Sequence, residues 1–342
     1  MKVLVTGSTG FLGAAVCRAL RARGDEVRGL SRTPAPALTA LGVQQHVGDI
    51  ADIDCVIEAS HGVDAIVHTA ARAGAWGRLE EFYASNVTGT DNVLAACDLN
   101  GIRRLVFTSS PAVVHGGADL NGVDESHPYP VRHHAHYPAT KAVAEKRVLA
   151  ANGPELATVA LRPHLIWGPG DHHLLPRLEA RARAGRLRFV GDGQNRIDTI
   201  YIDNAVDAHL AALDRLDIGA PCAGRAYFLT QNQPMPIADV VNALLRTVGL
   251  PPETRCISRR NAHAFGAVFE AVWNVLRLGG EPPMTRFIAE QLSTAHWFDI
   301  TAAKRDLGYK PRVNFAEGLA RLTTWHLRGG VFSNRPDPQG AA

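Results

Sequence analysis

The first thirteen residues constrain the fold of this 342-residue chain more than any other stretch. A short apolar run ends at Thr6, and Gly7, Gly10 and Gly13 follow before a helical pattern begins. Glycine allows a sharp turn, a close approach of backbone to a ligand, and tight packing of a helix on a strand. Free N–H groups at the helix start then favour phosphate. The stretch predicts a strand, turn and helix that bind a dinucleotide. Because Ser8 replaces the second glycine of the commoner G-x-G-x-x-G pattern, an ordinary glycine-rich turn is the alternative.

Composition excludes several other classes of protein. The formal net charge is only +3 and the basic residues are scattered, so we expect no nucleic-acid partner. The five cysteines lie far apart without a C-x-x-C pair, which favours reduced thiols in the cytoplasm. We expect neither an export segment nor a transmembrane span, because the apolar runs are too short. The histidine-rich segment 111–136 lacks acidic or cysteine partners at ligand spacing, so we expect no metal.

Strands and helices alternate through the first half of the chain, and less regularly after about residue 170. This order predicts an α/β fold of the Rossmann type, with a doubly wound parallel sheet covered by helices on both faces. A smaller, mostly helical C-terminal part would bind the substrate. We expect the cofactor domain to span 1–170, with strand and helix segments around 198–230 returning to it. The substrate-binding part would comprise 171–197 and 231–330, and 331–342 would be a flexible tail.

The end of the second predicted strand indicates the cofactor. A carboxylate there would accept from the ribose 2′-hydroxyl of NAD but would repel a 2′-phosphate. This chain has Ser31 and Arg32 at that point, whereas Asp25 and Glu26 precede the strand. A hydroxyl and a guanidinium can bind phosphate, so the pair predicts NADP(H). The alternative is that Arg32 is a solvated loop residue.

The third and fourth predicted strands end at the crevice where such sheets hold ligands. Asp49 and Ile50 follow the third strand, where Asp49 could accept from an adenine amino group and Ile50 could pack on the ring. A helix cap and a core residue are the alternatives. The loop after Thr69, Ala70 and Ala71 carries Trp76, which is either a wall of the substrate site or a buried anchor.

Tyr137 and Lys141 lie four residues apart in a predicted helix and therefore share one face. A phenol with an ordinary pKa of about 10 is a poor acid–base catalyst at neutral pH. A nearby ammonium would lower that pKa, and the same lysine could reach the nicotinamide ribose. Ser110 follows the fifth predicted strand and could hold a substrate carbonyl beside the phenol. We expect these three residues to carry the chemistry.

These motifs resemble those of a known family, the extended short-chain dehydrogenases/reductases. Beyond the glycine motif, the matching positions run over nearly the whole chain: Asp49, Ala70, Ala71, Asn86, Ser109, Ser110, Tyr137, Lys141, Arg162, Pro163 and the stretch 299–311. Segments 161–164, 168–171 and 201–204 resemble the 3β-hydroxysteroid dehydrogenase branch. Segments 73–77, 165–171 and 280–287 resemble the bacterial 2-alkyl-3-oxoalkanoate reductases of long-chain olefin and β-lactone biosynthesis. In that group the equivalent of Ser110 can be threonine, so only the hydroxyl carries over.

The resemblance implies a mechanism and a set of contacts. NADPH would deliver hydride to the C3 ketone of a 2-alkyl-3-oxo acid, Tyr137 would protonate the developing alkoxide, and Ser110 would polarise the carbonyl. Asn86 would complete a proton relay through water; a helix-bending residue that bonds backbone is the alternative. The expected substrate contacts are Trp76, Ser110, Tyr137, His164 and Trp167. The expected cofactor contacts are Gly7, Thr9, Gly10, Phe11, Leu12, Gly13, Ser31, Arg32, Asp49, Ile50, Thr69, Ala70, Ala71, Lys141 and Pro163.

Three other functions use the same fold. A hydroxysteroid or sterol dehydrogenase would share the catalytic trio and differ in its pocket. A nucleotide-sugar epimerase usually keeps NAD bound and favours an acid where Ser31 stands. A cofactor sensor without catalysis often lacks the tyrosine and lysine, which are both present here.

The segment 261–278 has apolar residues at helical spacing, interrupted by Glu270, Asn274 and Arg277. It is a core helix, a lid over an alkyl pocket, or an interfacial anchor. We favour a helix that closes over a lipid-like substrate tail and admits it from a membrane or a pathway enzyme. A homodimer is also expected.

Overall fold

A seven-stranded parallel sheet forms the centre of the computed structural model, which describes residues 1–330. The predicted tail 331–342 lies outside the described residues. The strands are β1 Lys2–Thr6, β2 Glu26–Ser31, β3 Gln44–Val47, β4 Ala65–His68, β5 Arg104–Thr108, β6 Leu120–Val123, β7 Ala157–Pro163, β8 Ile166–Trp167, β9 Phe189–Val190, β10 Arg196–Ile197, β11 Ile200–Tyr201, β12 Arg225–Leu229, β13 Met235–Pro236, β14 Cys256–Ile257 and β15 His296–Phe298.

Helices surround this sheet, and two short irregular turns interrupt them. The helices are α1 Phe11–Ala22, α2 Pro36–Thr39, α3 Ile53–Ser60, α4 Leu79–Tyr83, α5 Gly89–Leu99, α6 His136–Ala150, α7 Leu174–Arg183, α8 Ile202–Arg215, α9 Ile237–Thr247, α10 Arg259–Leu276, α11 Arg286–Ser293, α12 Thr301–Asp306 and α13 Phe315–Leu327. A π-helical turn, Ala84–Thr88, joins α4 to α5, and a 3₁₀ turn, Pro111–Val114, follows β5.

The main sheet has the strand order β12-β7-β5-β4-β1-β2-β3, and every neighbouring pair is parallel. Successive residues of a strand point to opposite faces. Accordingly Val3 and Val5 pack into one apolar core, while Leu4 between them packs into the other. Both faces are covered, which confirms the predicted α/β fold with a doubly wound parallel sheet.

A second sheet of four short strands has the order β13-β10-β15-β6. Strand β6 belongs to the first 170 residues, yet it pairs with β15 near the end of the chain. Strand β12 returns to the main sheet beside β7. One continuous apolar cluster includes residues of both sheets, and the division into two domains stays a prediction.

Helix α10 packs on α11 through its small residues. Only Ala262 and Gly266 of α10 are fully buried, and a Cβ at Gly266 would lie 2.6 Å from the backbone nitrogen of Arg286. Most of the larger apolar side chains face outward, with Val268 58% and Val275 79% exposed, whereas Phe269 and Trp273 are half-buried. The interpretation of this segment as a core helix is therefore wrong. Within residues 1–330 no helix has the length and apolar character needed to cross a membrane.

Candidate active site

A cleft of about 460 Å³ opens at the carboxyl ends of the main strands. One side is formed by the glycine turn before α1 and by the ends of β4, β5 and β7, and the other by the loop after β7, α11 and β15. Ligands of doubly wound sheets bind at this edge. The cleft brings the predicted Ser110, Tyr137, Lys141 and His164 together with the glycine turn.

The glycine positions of the turn leave no room for a side chain. Gly7 has φ +67°, and a Cβ there would lie 2.8 Å from the backbone of Ala70. A Cβ at Gly13 would lie 2.2 Å from the carbonyl oxygen of Gly7. Helix α1 begins at Phe11, and no side chain caps its first N–H groups. The turn can therefore hold a pyrophosphate against free backbone donors.

Ser8 explains the unusual spacing of this motif. Its side chain is fully buried and points away from the cleft, because a Cβ at Gly29 of β2 would lie 2.7 Å from the Ser8 hydroxyl. The position therefore needs no glycine for ligand approach. Phe11 and Leu12 line the cleft with the three glycines, whereas Thr9 does not.

Arg32 at the end of β2 is exposed and has no ion-pair or hydrogen-bond partner within residues 1–330. The Ser31 hydroxyl, by contrast, is buried and donates to the carbonyl of Thr33 at 2.8 Å. The guanidinium is free to bind a phosphate, while the serine hydroxyl would first have to exchange its partner.

Asp49 and Ile50 take up local contacts. The Asp49 carboxylate accepts from the backbone N–H of Ala51 at 2.9 Å, and Ile50 is buried against Gly89 of α5. Neither lines the cleft, so their adenine contacts stay a prediction. Thr69 lines the cleft and donates to the carbonyl of Thr6 at 2.7 Å, which fastens the end of β4 to that of β1.

The three residues predicted to be catalytic, Ser110, Tyr137 and Lys141, meet at the end of β5. The Ser110 hydroxyl hydrogen-bonds the Tyr137 phenol, and burial still raises the pKa of that phenol. Lys141 Nζ donates to the carbonyl of Thr108 at 2.6 Å and lies 4.0 Å above the Phe107 ring. Burial lowers the pKa of Lys141 to about 7, and the Glu145 charge opposes this. The expected lowering of the Tyr137 pKa is thus wrong for the protein alone, because burial of the phenol outweighs any effect of the ammonium.

Glu145 was not predicted, although it lies four residues after Lys141 and so on the same face of α6. Its carboxylate accepts two hydrogen bonds from the Arg162 guanidinium, at 2.6 and 2.9 Å, and one from the Tyr129 hydroxyl at 2.6 Å. Burial raises the pKa of Glu145, but the Arg162 guanidinium more than compensates and holds it below its usual value. This buried pair supports the face of α6 that carries Lys141. The i, i+4 spacing was the signal available in the sequence.

Asn86 lies in the π-helical turn and is fully engaged in structural bonds. Its Oδ1 accepts from the Arg72 N–H at 2.7 Å, and its Nδ2 donates to the Arg72 carbonyl and the Thr140 hydroxyl, both at 3.0 Å. Asn86 is buried and does not line the cleft. The side chain fastens the loop after β4 to α6, next to Lys141. These contacts favour the backbone-bonding alternative over a side-chain proton relay.

Trp167 does not reach the substrate side of the cleft. It is completely buried, donates from Nε1 to the Thr199 hydroxyl at 2.9 Å, and packs edge-on against Tyr201 and Phe315. Its expected substrate contact is therefore wrong. Trp76 also lies outside the cleft lining, to which its loop contributes Ala73 and Gly74 instead.

The substrate end of the cleft holds residues that the sequence did not indicate. His115, Gln291 and His296 line it together with the predicted His164. Asp171 also lines it, but its carboxylate accepts the N–H groups of residues 173–175 and so caps α7. Pro163 lines the cleft at the end of β7.

Neither metal nor disulfide chemistry has a site in the described part of the chain. No cluster of three or more His, Cys, Asp or Glu side chains within residues 1–330 is arranged to hold a metal ion. All five cysteines are free thiols, and burial raises the pKa of Cys17 and Cys97 to about 12.

Comparison with known proteins gives consistent results. The sequence model of the 3-beta hydroxysteroid dehydrogenase/isomerase family matches residues 4–259. A 2-alkyl-3-oxoalkanoate reductase of Stenotrophomonas maltophilia is 54% identical over 94% of this chain and 98% of its own length. One of Shewanella oneidensis is 46% identical over 93% of this chain and 84% of its own length. A UDP-glucose 4-epimerase of Thermus thermophilus, solved as a complex with NAD, is 25% identical with a TM-score of 0.74 and covers 97% of this chain and 100% of its own.

Proposed function

The chain belongs to the 3-beta hydroxysteroid dehydrogenase/isomerase family and is an oxidoreductase of Rossmann-type fold, and on this premise we propose its reaction. The protein reduces the 3-keto group of a 2-alkyl-3-oxoalkanoate to the 3-hydroxy acid with NADPH. The observation that carries the substrate assignment is the pair of reductases, 54% and 46% identical, that bear this activity in their names. The cleft supports it, because it places a phenol, a hydroxyl and an ammonium at the end of β5.

The residues of the cleft fit a dinucleotide. A Cβ at Gly7 or Gly13 would clash with the backbone of the turn, and the first N–H groups of α1, which no side chain caps, lie at the cleft. NADPH, when bound, supplies the hydride that reduces the ketone carbon. Arg32 would hold the 2′-phosphate, and Lys141 would bind the nicotinamide ribose. The absence of a partner for Arg32 among the described residues supports NADPH over NADH.

The remaining steps belong to the side chains. The Ser110 hydroxyl donates to the ketone oxygen and polarises the carbonyl. Tyr137 gives its phenolic proton to that oxygen as the carbon is reduced, so that the ketone becomes an alcohol. The resulting phenolate is stabilised by the Lys141 ammonium and is reprotonated from solvent. Because burial raises the pKa of Tyr137, the phenol carries its proton at neutral pH, as a proton donor must.

Helix α10 does not take part in the cleft. None of its side chains lines the cleft, although α11, on which it packs, contributes Phe287 and Gln291. The expected closure of α10 over the substrate tail is therefore not supported. A lipid-like substrate fits the names of the relatives, whereas contact with a membrane or pathway enzyme, a homodimer and a cytoplasmic location stay predictions.

A panel of substrates tests the reaction. Because β-keto acids lose carbon dioxide spontaneously, the assay runs in reverse and follows NADPH formation from NADP⁺ and a 2-alkyl-3-hydroxyalkanoic acid. A 3β-hydroxysteroid and a sugar nucleotide are compared under the same conditions. We expect kcat/KM for the acid to exceed that for the other two by at least about tenfold, a difference of about 1.4 kcal/mol in transition-state binding. A higher value for the steroid or the sugar nucleotide would refute the assignment.

A further inference from the structure

Three histidines from distant parts of the chain meet at the substrate end of the cleft. His115 follows the 3₁₀ turn after β5, His164 follows β7, and His296 begins β15. The ring centres of His115 and His296 are 4.7 Å apart, and those of His164 and His296 are 5.7 Å apart. All three side chains are buried and line the cleft.

The hydrogen bonds around Thr294 assign the protons on two of these rings. The Thr294 hydroxyl lies 2.8 Å from the Glu290 carbonyl, which can only accept, so the hydroxyl proton is used there. Thr294 must then accept from Nε2–H of His296 at 2.6 Å and from Nε2–H of His115 at 3.3 Å. Gln291 donates to Nδ1 of His115 at 2.8 Å. Both nitrogens of His115 are therefore engaged, whereas Nδ1 of His296 is left with a lone pair.

The third ring is fixed in the same way. Nδ1 of His164 lies 2.5 Å from the carbonyl of Asp198, so this nitrogen carries the proton and Nε2 carries a lone pair. Neither Nε2 of His164 nor Nδ1 of His296 has a hydrogen-bond partner within residues 1–330. Neither nitrogen is fully buried, so both are accessible from the cleft.

The cleft has few groups that can hold a negative charge. Among the described residues, its lining contains no arginine, and its only lysine, Lys141, is bonded to Thr108 at the cofactor end. The Asp171 carboxylate is occupied by the N–H groups that it caps. The proposed substrate carries a carboxylate two carbons from the reacting carbonyl carbon. Histidine is thus the side chain available at the substrate end to bind it.

We propose that the carboxyl group of the substrate binds at His164 and His296, and that one proton is taken up from solvent onto one of these two rings when it binds. This inference rests on the proposed function. Two lone pairs cannot hold a carboxylate, which offers only further lone pairs. One added proton converts one ring nitrogen into an N–H donor and makes a charge-assisted hydrogen bond.

The free protein has to supply neutral rings for this uptake to occur. Burial lowers the pKa of His115 and His164 to about 4 and that of His296 well below its usual value. The rings are therefore neutral at pH 7, while the carboxylate is ionised. The titratable and charged groups around His115 are Glu290, Asp119, His134 and Arg259. Asp198 bonds His164 through its carbonyl, and Asp171 and His173 line the same cleft as His164 and His296. Because burial raises the pKa of Asp198 to about 6, Asp198→Asn is needed to separate its titration from that of the rings.

The topology places this pair beside the reacting carbonyl. Thr108 of β5 pairs with Leu161 of β7, and the N–H of Ser109 donates to the carbonyl of Leu161 at 2.6 Å. Ser110 and His164 therefore leave neighbouring strands, whose spacing is about 4.8 Å. Both residues line the cleft, so a 3-oxo acid with its ketone at Ser110 would direct its carboxyl group toward His164.

Two variants remove the lone pairs and keep the structural bonds. His164→Asn retains a donor near the position of Nδ1 for the Asp198 carbonyl, and His296→Gln retains one near the position of Nε2 for Thr294. His115→Gln is the matched control, because both nitrogens of His115 are already engaged. Each is assayed with a 2-alkyl-3-hydroxyalkanoic acid and with its uncharged methyl ester. We expect the ratio of kcat/KM for acid over ester to fall about 10- to 100-fold in the double variant and in whichever of His164→Asn and His296→Gln removes the ring that takes up the proton, but not in His115→Gln.

Calorimetry with an unreactive 2-alkylalkanoic acid measures the proton directly. In two buffers of different ionisation enthalpy at pH 8, the unmodified protein and the Asp198→Asn variant should take up close to one proton per acid bound, and the double histidine variant none. Equal losses for acid and ester, or binding without proton uptake, would overturn the inference while leaving the acid a substrate. Proton-coupled binding of the acid without its turnover would support the inference and overturn the proposed function instead.

Discussion

The buried pair of Glu145 and Arg162 allows stability and catalysis to be tested separately. The exposed fractions of the two side chains are 0% and 3%, and two hydrogen bonds join them. Tyr129 donates a third hydrogen bond to the carboxylate. Glu145→Gln keeps the shape of the side chain but removes its charge and presents an NH₂ group to the guanidinium. Arg162 Nη1 already lacks a partner, so the variant leaves a buried cation with little compensation.

Removing one partner of such a pair lowers the free energy of unfolding by roughly 3–5 kcal/mol, whereas replacing the whole pair by apolar residues often leaves it unchanged. We expect a loss in this range for Glu145→Gln. The triple variant Glu145→Leu, Arg162→Met, Tyr129→Phe should recover at least half of it. Urea unfolding at fixed pH measures both.

Catalysis should respond differently. Burial lowers the pKa of Lys141 to about 7, and Glu145 raises it, so loss of the carboxylate should lower it further. Because the proposed mechanism uses the ammonium to bind ribose and to stabilise the phenolate, we expect kcat/KM for NADPH to fall as the pH rises through this pKa. The falling limb should move to lower pH by roughly one unit in Glu145→Gln and in the triple variant alike. The reasoning is refuted if the falling limb of the pH profile does not move, or if the triple variant has no larger free energy of unfolding than Glu145→Gln.

Four further substitutions test the rest of the site. Arg32→Asp should reverse the preference for NADPH over NADH by about 10- to 100-fold, and equal use of both cofactors by the unmodified protein would contradict the assignment. Tyr137→Phe should abolish turnover with NADPH affinity nearly intact by fluorescence titration; substantial residual activity would remove the phenol as proton donor. Gly13→Ala should weaken NADPH binding at least tenfold, because its Cβ would lie 2.2 Å from a carbonyl oxygen, whereas Gly153→Ala, with no atom within 4 Å, serves as control. Trp273→Asp on α10 should change kcat/KM for short- and long-chain acids equally. A selective loss of kcat/KM for long-chain acids would instead support the interpretation of α10 as a lid over the substrate.

The part of the site that is encoded by neighbouring residues could be predicted from the sequence. Gly7, Gly10 and Gly13 lie within one turn, and Tyr137 and Lys141 lie within one turn of helix, so spacing alone indicates their shared surface. The burial of Trp167 could not be predicted from such spacing. It is buried because Phe315 and Gly318 of α13, about 150 residues later, pack against its ring. Local sequence contains no signal for that contact, and an aromatic residue near a cleft motif suits a wall as well as a core.

The histidines at the substrate end have the same non-local origin. His296 reaches the cleft because β15 pairs with β6, where Leu120 is its register partner, and His164 reaches it as β7 ends. Their separation is therefore set by how the second sheet packs on the first, while the glycine turn and the catalytic trio depend on the main sheet alone. In this register, Gly122 of β6 has φ +64° and makes room for the ring of Trp297, which a Cβ would approach to 2.5 Å. Changes in β6 or β15 can thus alter the substrate end without disturbing the cofactor end, so one catalytic centre can serve different hydroxy or keto substrates.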